Sequence, residues 1–229
     1  MEGLQEWGAF LKKWGPSYVD GTLMTLKLSF IGVLVGFLLG VLIALMRRSK
    51  IKVLEVIAKI YIQIFRGTPL LVQVLIAYYG LAAVLPDSLG KLKNPFVLSL
   101  LAICMNSSAY VSEIIRGGIN AVDRGQSEAA ASLGMNQKQI MRHIILPQAV
   151  KTVLPALGNE FVTLIKESAI VAFVGIGDIM YQAKVVQGAT YLPFKPYFTA
   201  AFIYLVLVLG LSQVVNVFER RLAASDSHQ

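Results

Sequence analysis

The chain has 229 residues, of which 56% are hydrophobic and only 15% are charged, and its mean hydropathy is +0.66. A water-soluble domain carries more charge than this, so the composition indicates a membrane protein and excludes a large soluble enzyme. The net charge of +8 does not indicate nucleic-acid binding. Most basic residues lie beside apolar runs, where the orientation of membrane helices accounts for them.

The first predicted element is a short helix over residues 1–18 that lies flat on the outer membrane surface. Trp7, Phe10 and Trp14 repeat there at helical spacing, and tryptophan favours the level of the lipid headgroups. We interpret this helix as an anchor that precedes a membrane domain over 19–222. The remaining residues, 223–229, form a polar tail.

Five membrane-spanning helices are predicted in this domain, which makes the fold class an all-α membrane protein. Four apolar stretches without charge approach the roughly 20 residues that a spanning helix needs; they are residues 28–46, 67–85, 95–111 and 196–218. A fifth stretch, 152–179, is long enough but carries charged residues. Pro69 predicts a break near the start of the second span, because proline disfavours helix in the residue before it.

The basic residues predict the orientation of these spans. Twelve follow the first, third and fifth spans and six lie on the other side; the twelve are Arg47, Arg48, Lys50, Lys52, Lys59, Arg116, Arg124, Lys138, Arg142, Lys151, Arg220 and Arg221, and the six are Lys12, Lys13, Lys91, Lys93, Lys184 and Lys195. Cytoplasmic segments are enriched in Lys and Arg. We therefore expect the N-terminus outside the cell and the C-terminus in the cytoplasm.

Gly32, Gly36 and Gly40 are spaced four residues apart in the first span. This spacing is typical of a face on which two helices pack closely. It is equally expected from the general glycine richness of membrane helices, so the sequence leaves both interpretations open.

A cytoplasmic loop over 117–151 joins the third and fourth spans and is far longer than a helical hairpin needs. The residues before Gly134 are strong helix formers, and Gly134 is placed as a C-terminal cap. Asn136 and Gln139 match a capping box for a second helix, which we expect to stop at Pro147. Two short helices joined at a glycine would form a rigid helical hairpin that can dock on a cytoplasmic partner.

This loop resembles the EAA loop of bacterial ABC importer permeases, which docks on the ATPase subunit. The residues that carry the resemblance are Glu128, Ala129, Ala130, Gly134, Ile144, Ile145, Leu146 and Pro147. Further stretches resemble the polar amino acid uptake branch of that superfamily: residues 65–73, 109–110, 113–119, 146–149 and 157–160. The resemblance covers about residues 21–222.

The resemblance implies a permease in the bacterial inner membrane that moves a polar amino acid into the cytoplasm. A basic amino acid such as arginine, lysine or histidine is a candidate because Glu160 carries a negative charge at membrane depth. The implied partners of the permease are a second permease copy, with a homodimer favoured, two ATPase subunits, an extracytoplasmic amino-acid-binding protein and the lipid bilayer. The residues implied in coupling to the ATPase are Glu128, Ala129, Ala130, Gly134, Ile144, Leu146 and Pro147. Glu128 is expected either to pair with a basic residue of the ATPase or to stabilise its own helix dipole.

No nucleotide-binding motif of the form G-x-x-x-x-G-K-[ST] occurs in the chain. We therefore expect ATP and magnesium to be bound by the partner ATPase, and we predict no catalytic residue, no metal site and no cofactor in this chain. The one cysteine, Cys104, lies in an apolar run and predicts no disulfide framework. The alternative function is an ion-coupled secondary amino-acid transporter, which would call for repeated halves with broken helices.

Polar residues at membrane depth predict a substrate site, because buried charge there is costly without a function. Glu160 and Thr163 share one helical stripe, and Asn106 lies on another with Ser107 beside it. Together with Asn159, these residues form our candidate substrate-binding set. Glu160 is expected either to bind a substrate ammonium or guanidinium or to pair with a structural cation. The spacing of Glu113 and Arg116 favours a structural ion pair.

Overall fold

A computed structural model describes the protein over residues 2–224, with side chains described over 5–222. Most of the predicted tail, 223–229, therefore lies outside the described residues. The α-helices are α1 (Glu2–Arg47), α2 (Lys52–Gly67), α3 (Leu70–Leu75), α4 (Ala82–Val84), α5 (Pro95–Asn120), α6 (Arg124–Ser132), α7 (Gln137–Ile140), α8 (Leu146–Glu167), α9 (Ile179–Thr190) and α10 (Lys195–Ala224). Two π-helical segments, Ile76–Leu81 and Met141–Ile145, and two 3₁₀ helices, Asp87–Lys93 and Ser168–Val174, lie between them. The described chain is helical and contains no strand, as the all-α fold class requires.

The prediction of a separate helix over residues 1–18 is wrong. Helix α1 runs from Glu2 to Arg47 as one element. Pro16 lies inside α1, where its fixed φ fits the helix and only one backbone hydrogen bond is lost. The apolar stripe predicted to contact lipid is covered by protein instead. Phe10 and Tyr18 are buried in a cluster with Ile179, Ala183, Val186 and Ala200, and Trp7 and Trp14 pack against it. This packing explains why the chain does not turn before the first span.

Among the described residues, three helices are long and apolar enough to cross a membrane: Gln5–Arg47, Pro95–Asn120 and Lys195–Leu222. The broken pair Lys52–Gly67 and Leu70–Val84 becomes a fourth if it is counted as one span. Helix α8, the remaining predicted span, is not among them, since its charged residues lower its hydropathy. The structure thus has three or four candidate spans, and the count of five stays a prediction.

Contacts divide the chain into two units as far as its residues are described. Unit 1 comprises Met1–Gly32, Thr68–Cys104 and Thr163–Leu209, and unit 2 comprises Val33–Gly67, Met105–Val162 and Gly210–Gln229. The long helices α1, α5, α8 and α10 each contribute a segment to both units. Most of the predicted functional residues lie in unit 2.

Unit 1 is organised around the buried carboxylate of Asp178, which begins α9. Its Oδ1 accepts the backbone N–H of Tyr181 at 2.8 Å, and its Oδ2 accepts the hydroxyl of Tyr204 at 3.2 Å. The next backbone N–H, of Ile179, donates to Thr25 of α1 at 3.4 Å. A side chain cannot be added at Gly21, because a Cβ atom there would lie 2.9 Å from the Asp178 carbonyl oxygen. Asp178 is thus a helix cap that also joins α1 and α10 to α9.

The glycine spacing of α1 marks a close-packed face. Within unit 2, a Cβ atom at Gly36 would lie 2.8 Å from the Ser107 Oγ, and one at Gly40 would lie 2.7 Å from a Val111 side-chain atom. Within unit 1, Gly32 is equally close to Ile103. All three neighbours belong to α5, so the structure supports close helix packing over general glycine richness. The close approach places α1 directly against the polar segment of α5.

Candidate functional site

The predicted break in the second span lies between α2 and α3, where Thr68 and Pro69 separate the two helices. A continuing helix would bring the N–H of residue 69 to the carbonyl of Phe65, but proline has no N–H. The side-chain amide of Asn106 donates to that carbonyl instead, at 3.0 Å. The predicted substrate residue Asn106 is buried and therefore has a structural task at the end of α2.

The structure brings Ser107 and Glu160 together, as the two predicted stripes required. The Ser107 hydroxyl donates to the Glu160 Oε1 at 3.1 Å, joining α5 to α8 within unit 2. Ser107 is fully buried and Glu160 is half-buried. A carboxylate in this position can accept further hydrogen bonds from a cationic group, because an ionised carboxylate has about four acceptor positions.

The other predicted substrate residues are placed differently. Asn159 is exposed beside Glu160 on α8, and Thr163 is half-buried one turn further along the same helix, in unit 1. Lys166 and Glu167 follow near the end of α8 and are both exposed. Neither takes part in the ion pairs of the described residues.

Tyr61 is a site residue that the sequence did not predict. Its hydroxyl donates to the Met105 carbonyl at 2.9 Å and lies 2.8 Å from the Ser108 Oγ. The signal was present in the sequence, because the run Asn106, Ser107 and Ser108 in an apolar helix needs polar partners. Tyr61 thereby links α2 to the polar segment of α5.

Glu113 is the centre of a cluster with three arginines from three helices. The predicted pair with Arg116 is confirmed, with Arg116 Nη2 at 2.7 Å and Nε at 3.0 Å from Glu113 Oε2. Arg47 of α1 forms an ion pair with the other carboxylate oxygen, and Arg66 of α2 lies 3.7 Å from Oε2. Three cations therefore share one largely buried carboxylate, and the two partners from α1 and α2 were not predicted.

The loop between α5 and α8 contains the predicted glycine turn. Gly134 has φ of +84°, its N–H donates to the Ala131 carbonyl at 2.9 Å, and the N–H of Met135 donates to the Ala130 carbonyl at 3.1 Å. This pair of bonds is a Schellman cap on α6. The capping box is present too, with Asn136 accepting from the Gln139 backbone and the Gln139 side chain accepting from the Asn136 backbone. The sequence prediction of this turn is confirmed.

Pro147 does not stop the second helix of the loop, which corrects another prediction. Helix α7 passes through the π-helical segment Met141–Ile145 directly into α8, and Pro147 is the second residue of α8. The wider π turn lacks the regular bonding pattern that a proline would interrupt, so the helix can continue. The loop helix and α8 are consequently joined without a flexible connection.

Helix α6 presents part of the EAA segment to solvent. Ala130 is 4% exposed, whereas Glu128, Ala129 and Gly134 are exposed. Asp123, not Glu128, caps α6, accepting the N–H of Gly125 at 2.6 Å. Glu128 lies beyond the first turn of α6, so the helix-dipole interpretation of this residue loses its basis.

A groove of about 700 Å³ lies between α6 and the start of α8. Its lining includes Gln126 on one side and Ile144, Pro147 and Gln148 on the other. The remaining predicted coupling residue, Leu146, is exposed at the start of α8. His143 also lines the groove, but no group of His, Cys, Asp and Glu residues in the described chain is arranged to hold a metal ion.

A family model described as binding-protein-dependent transport system inner membrane component matches residues 32–224. The chain belongs to this family. It is therefore an inner-membrane component of a transport system and not an enzyme, as its sequence predicted. The matched region includes the loop 117–151 and both helices of the Ser107–Glu160 pair.

Related transport components match almost the whole of this membrane protein. It is 43% identical to the arginine transport system permease protein ArtQ of Bacillus subtilis (strain 168), over 92% of this chain and 94% of that protein. It is 44% identical to GlnP of Rickettsia bellii (strain RML369-C), which is named for a glutamine transport system, over 94% of this chain and 99% of that protein.

A solved structure described as the crystal structure of an amino acid ABC transporter with histidines contains a similar chain. The two chains are 48% identical, with a TM-score of 0.86 over 93% of this chain and 97% of that one. The fold of this inner-membrane component is thus that of an ABC transporter permease.

Proposed function

We propose that the protein is the permease of an ABC importer for a polar amino acid, with a basic amino acid as the preferred substrate. The observation that carries the substrate proposal is the half-buried carboxylate of Glu160, held by Ser107 between two long helices. A carboxylate at this position favours a ligand with an ammonium or guanidinium group. The relative named for arginine transport is consistent with this choice, whereas the relative named for glutamine makes a neutral polar substrate the competing one.

The energy for transport comes from a separate ATPase pair that binds ATP and magnesium. This chain contains no phosphate-binding motif of its own. The exposed face of α6, with Glu128 and Ala129, is the surface on which we place the ATPase, and the groove beside it widens that surface. Because α7 continues into α8 without a flexible connection, a displacement of the loop by the ATPase would move α8 as a rigid body.

The remaining partners complete the importer. We propose a homodimer of this chain, since a two-fold pair is the commonest closed assembly, and an extracytoplasmic protein that delivers the amino acid. We propose five spans, with the second one after the break at Pro69 and α8 as the fourth, and with the N-terminus outside and the loop and C-terminus in the cytoplasm. The excess of basic residues after the first, third and fifth spans supports this orientation.

Transport by the complete complex in lipid vesicles tests this function against ion-coupled transport. We expect uptake of labelled arginine to require ATP on the side of the loop and the binding protein on the other side, and to persist when ionophores collapse the ion gradients. Unlabelled lysine should compete better than unlabelled glutamine. Uptake that stops with the ionophore and continues without ATP would instead establish the secondary transporter.

A further inference from the structure

Helix α2 has three faces with different surroundings. Val53, Val56, Ile57, Ile60 and Ile64 are exposed and fall on one side at 100° per residue, whereas Ala58 and Ile62 are buried against Ile43. Lys59, Gln63 and Arg66 form a stripe between these two faces, spaced four and three residues apart. An exposed apolar stripe bordered by a basic one is the pattern of a helix that lies against a lipid surface.

The basic stripe lines a cavity of about 470 Å³. The lining residues are Arg47, Lys59, Ile62, Gln63, Arg66, Gly67 and Glu113, so α1, α2 and α5 all contribute to it. This volume is within the range of sites that hold a small polar group. The cavity is separate from the Ser107–Glu160 pair in its residues and is not used in the proposed transport mechanism.

The charges around this cavity do not balance. Arg47, Arg66 and Arg116 share the single carboxylate of Glu113, and Lys59 pairs with Glu55, so four cations face two carboxylates. These side chains therefore carry an excess of two positive charges. Like charges held this close repel one another, and a bound anion would relieve that repulsion.

Among these cations, the Arg66 guanidinium has N–H groups that the Glu113 carboxylate does not engage in hydrogen bonds. Glu113 Oε2 already accepts two hydrogen bonds from Arg116, and the Arg66 Nη1 lies 3.7 Å from it, too far for a hydrogen bond. The Arg66 guanidinium carbon also lies 5.2 Å from the centre of the Tyr110 ring, a contact that does not use its N–H groups. A guanidinium held this way is suited to a phosphate oxygen pair.

We propose that this cavity binds the phosphodiester headgroup of an anionic phospholipid. The phosphate contacts Arg66, Lys59 and Arg47, and the acyl chains lie along the exposed apolar stripe of α2. The charge excess selects an anion, and the adjacent apolar stripe selects a lipid over free phosphate. A lipid in this position ties the end of α2, next to the break at Pro69, to the membrane surface.

Native mass spectrometry of the full chain in neutral detergent, titrated with phosphatidylglycerol, tests the proposal. The variant with both Lys59→Gln and Arg66→Gln is expected to bind phosphatidylglycerol about 25-fold more weakly, since each cation near a lipid surface contributes about a fivefold effect. Gln63→Glu, which adds a carboxylate to the cavity without removing an ion pair, is expected to weaken binding as well. Phosphatidylcholine with the same acyl chains should bind weakly to the unmodified protein.

The matched control removes the same charge from the same basic segment. Lys50→Gln with Lys52→Gln changes two exposed lysines that do not line the cavity, and it should leave phosphatidylglycerol binding within about threefold. Equal losses in the two double variants would overturn the proposal in favour of general surface attraction. Displacement of the lipid by millimolar inorganic phosphate, or equal binding of phosphatidylcholine, would also overturn it.

Discussion

Replacing Glu160 by glutamine is expected to reduce uptake of a basic amino acid by about tenfold or more while the transporter still assembles. A hydrogen bond to a charged group contributes about 1.5–3 kcal/mol, and glutamine keeps the shape but removes the charge. Uptake of a neutral substrate should change much less. The measurement is uptake of labelled arginine and glutamine by vesicles that contain the complete complex. Glu219→Gln, an exposed carboxylate near the end of α10, is the control and should behave like the unmodified protein.

The rival interpretation of Glu160 gives a different pattern. If Glu160 is a structural counter-ion, the variant should assemble poorly or unfold at a lower temperature, with the uptake of all substrates affected alike. The substrate proposal is wrong if Glu160→Gln leaves both the rate and the preference for basic over neutral amino acids unchanged.

Replacing Gly134 by valine is expected to separate ATP hydrolysis from transport. The φ of +84° at Gly134 is a left-handed conformation, which costs roughly 1–2 kcal/mol for a residue with a side chain and more for a β-branched one. The Schellman cap between α6 and α7 should therefore distort. We expect the complex to hydrolyse ATP at more than about half its normal rate, with uptake per ATP reduced severalfold.

Gly134→Asn is the control for this prediction, because asparagine tolerates the left-handed region and also ends helices in this way. It should retain most of the coupling between hydrolysis and uptake. Normal coupling in the valine variant would show that the turn need not be rigid for the transporter to work.

The local features of the loop could be predicted because each depends on residues close in sequence. A glycine after a helix and an Asn-x-x-Gln spacing have one favourable backbone geometry each, and both are present. Pro147 was misjudged because its effect depends on the π-helical segment before it, for which the sequence carries no clear signal. Elsewhere in the chain, too, features that depend on nearby residues were predicted, and features that depend on distant residues were not.

Features that depend on distant residues were harder to predict. The stripe of Trp7, Phe10 and Trp14 fits a lipid surface as well as a protein surface, and only the position of α9 and α10 decides between them. The structural contact of Asn106 was not predicted, because the sequence cannot show that its side chain reaches the carbonyl of Phe65, four residues before Pro69. By contrast, the Glu113–Arg116 pair is three residues apart on one helix and was predicted, while Arg47 and Arg66 required the fold.

Cross-linking from single cysteines tests whether the exposed face of α6 binds the ATPase. In a chain with Cys104→Ala, a cysteine is introduced at Ala129 or, as a control, at Ser88 in the exposed 3₁₀ helix Asp87–Lys93. Each complex is treated in membranes with a short thiol-to-amine reagent. We expect a product joined to the ATPase from position 129 and none from position 88. A product from position 88 with none from position 129 would contradict both the docking surface and the orientation of the chain.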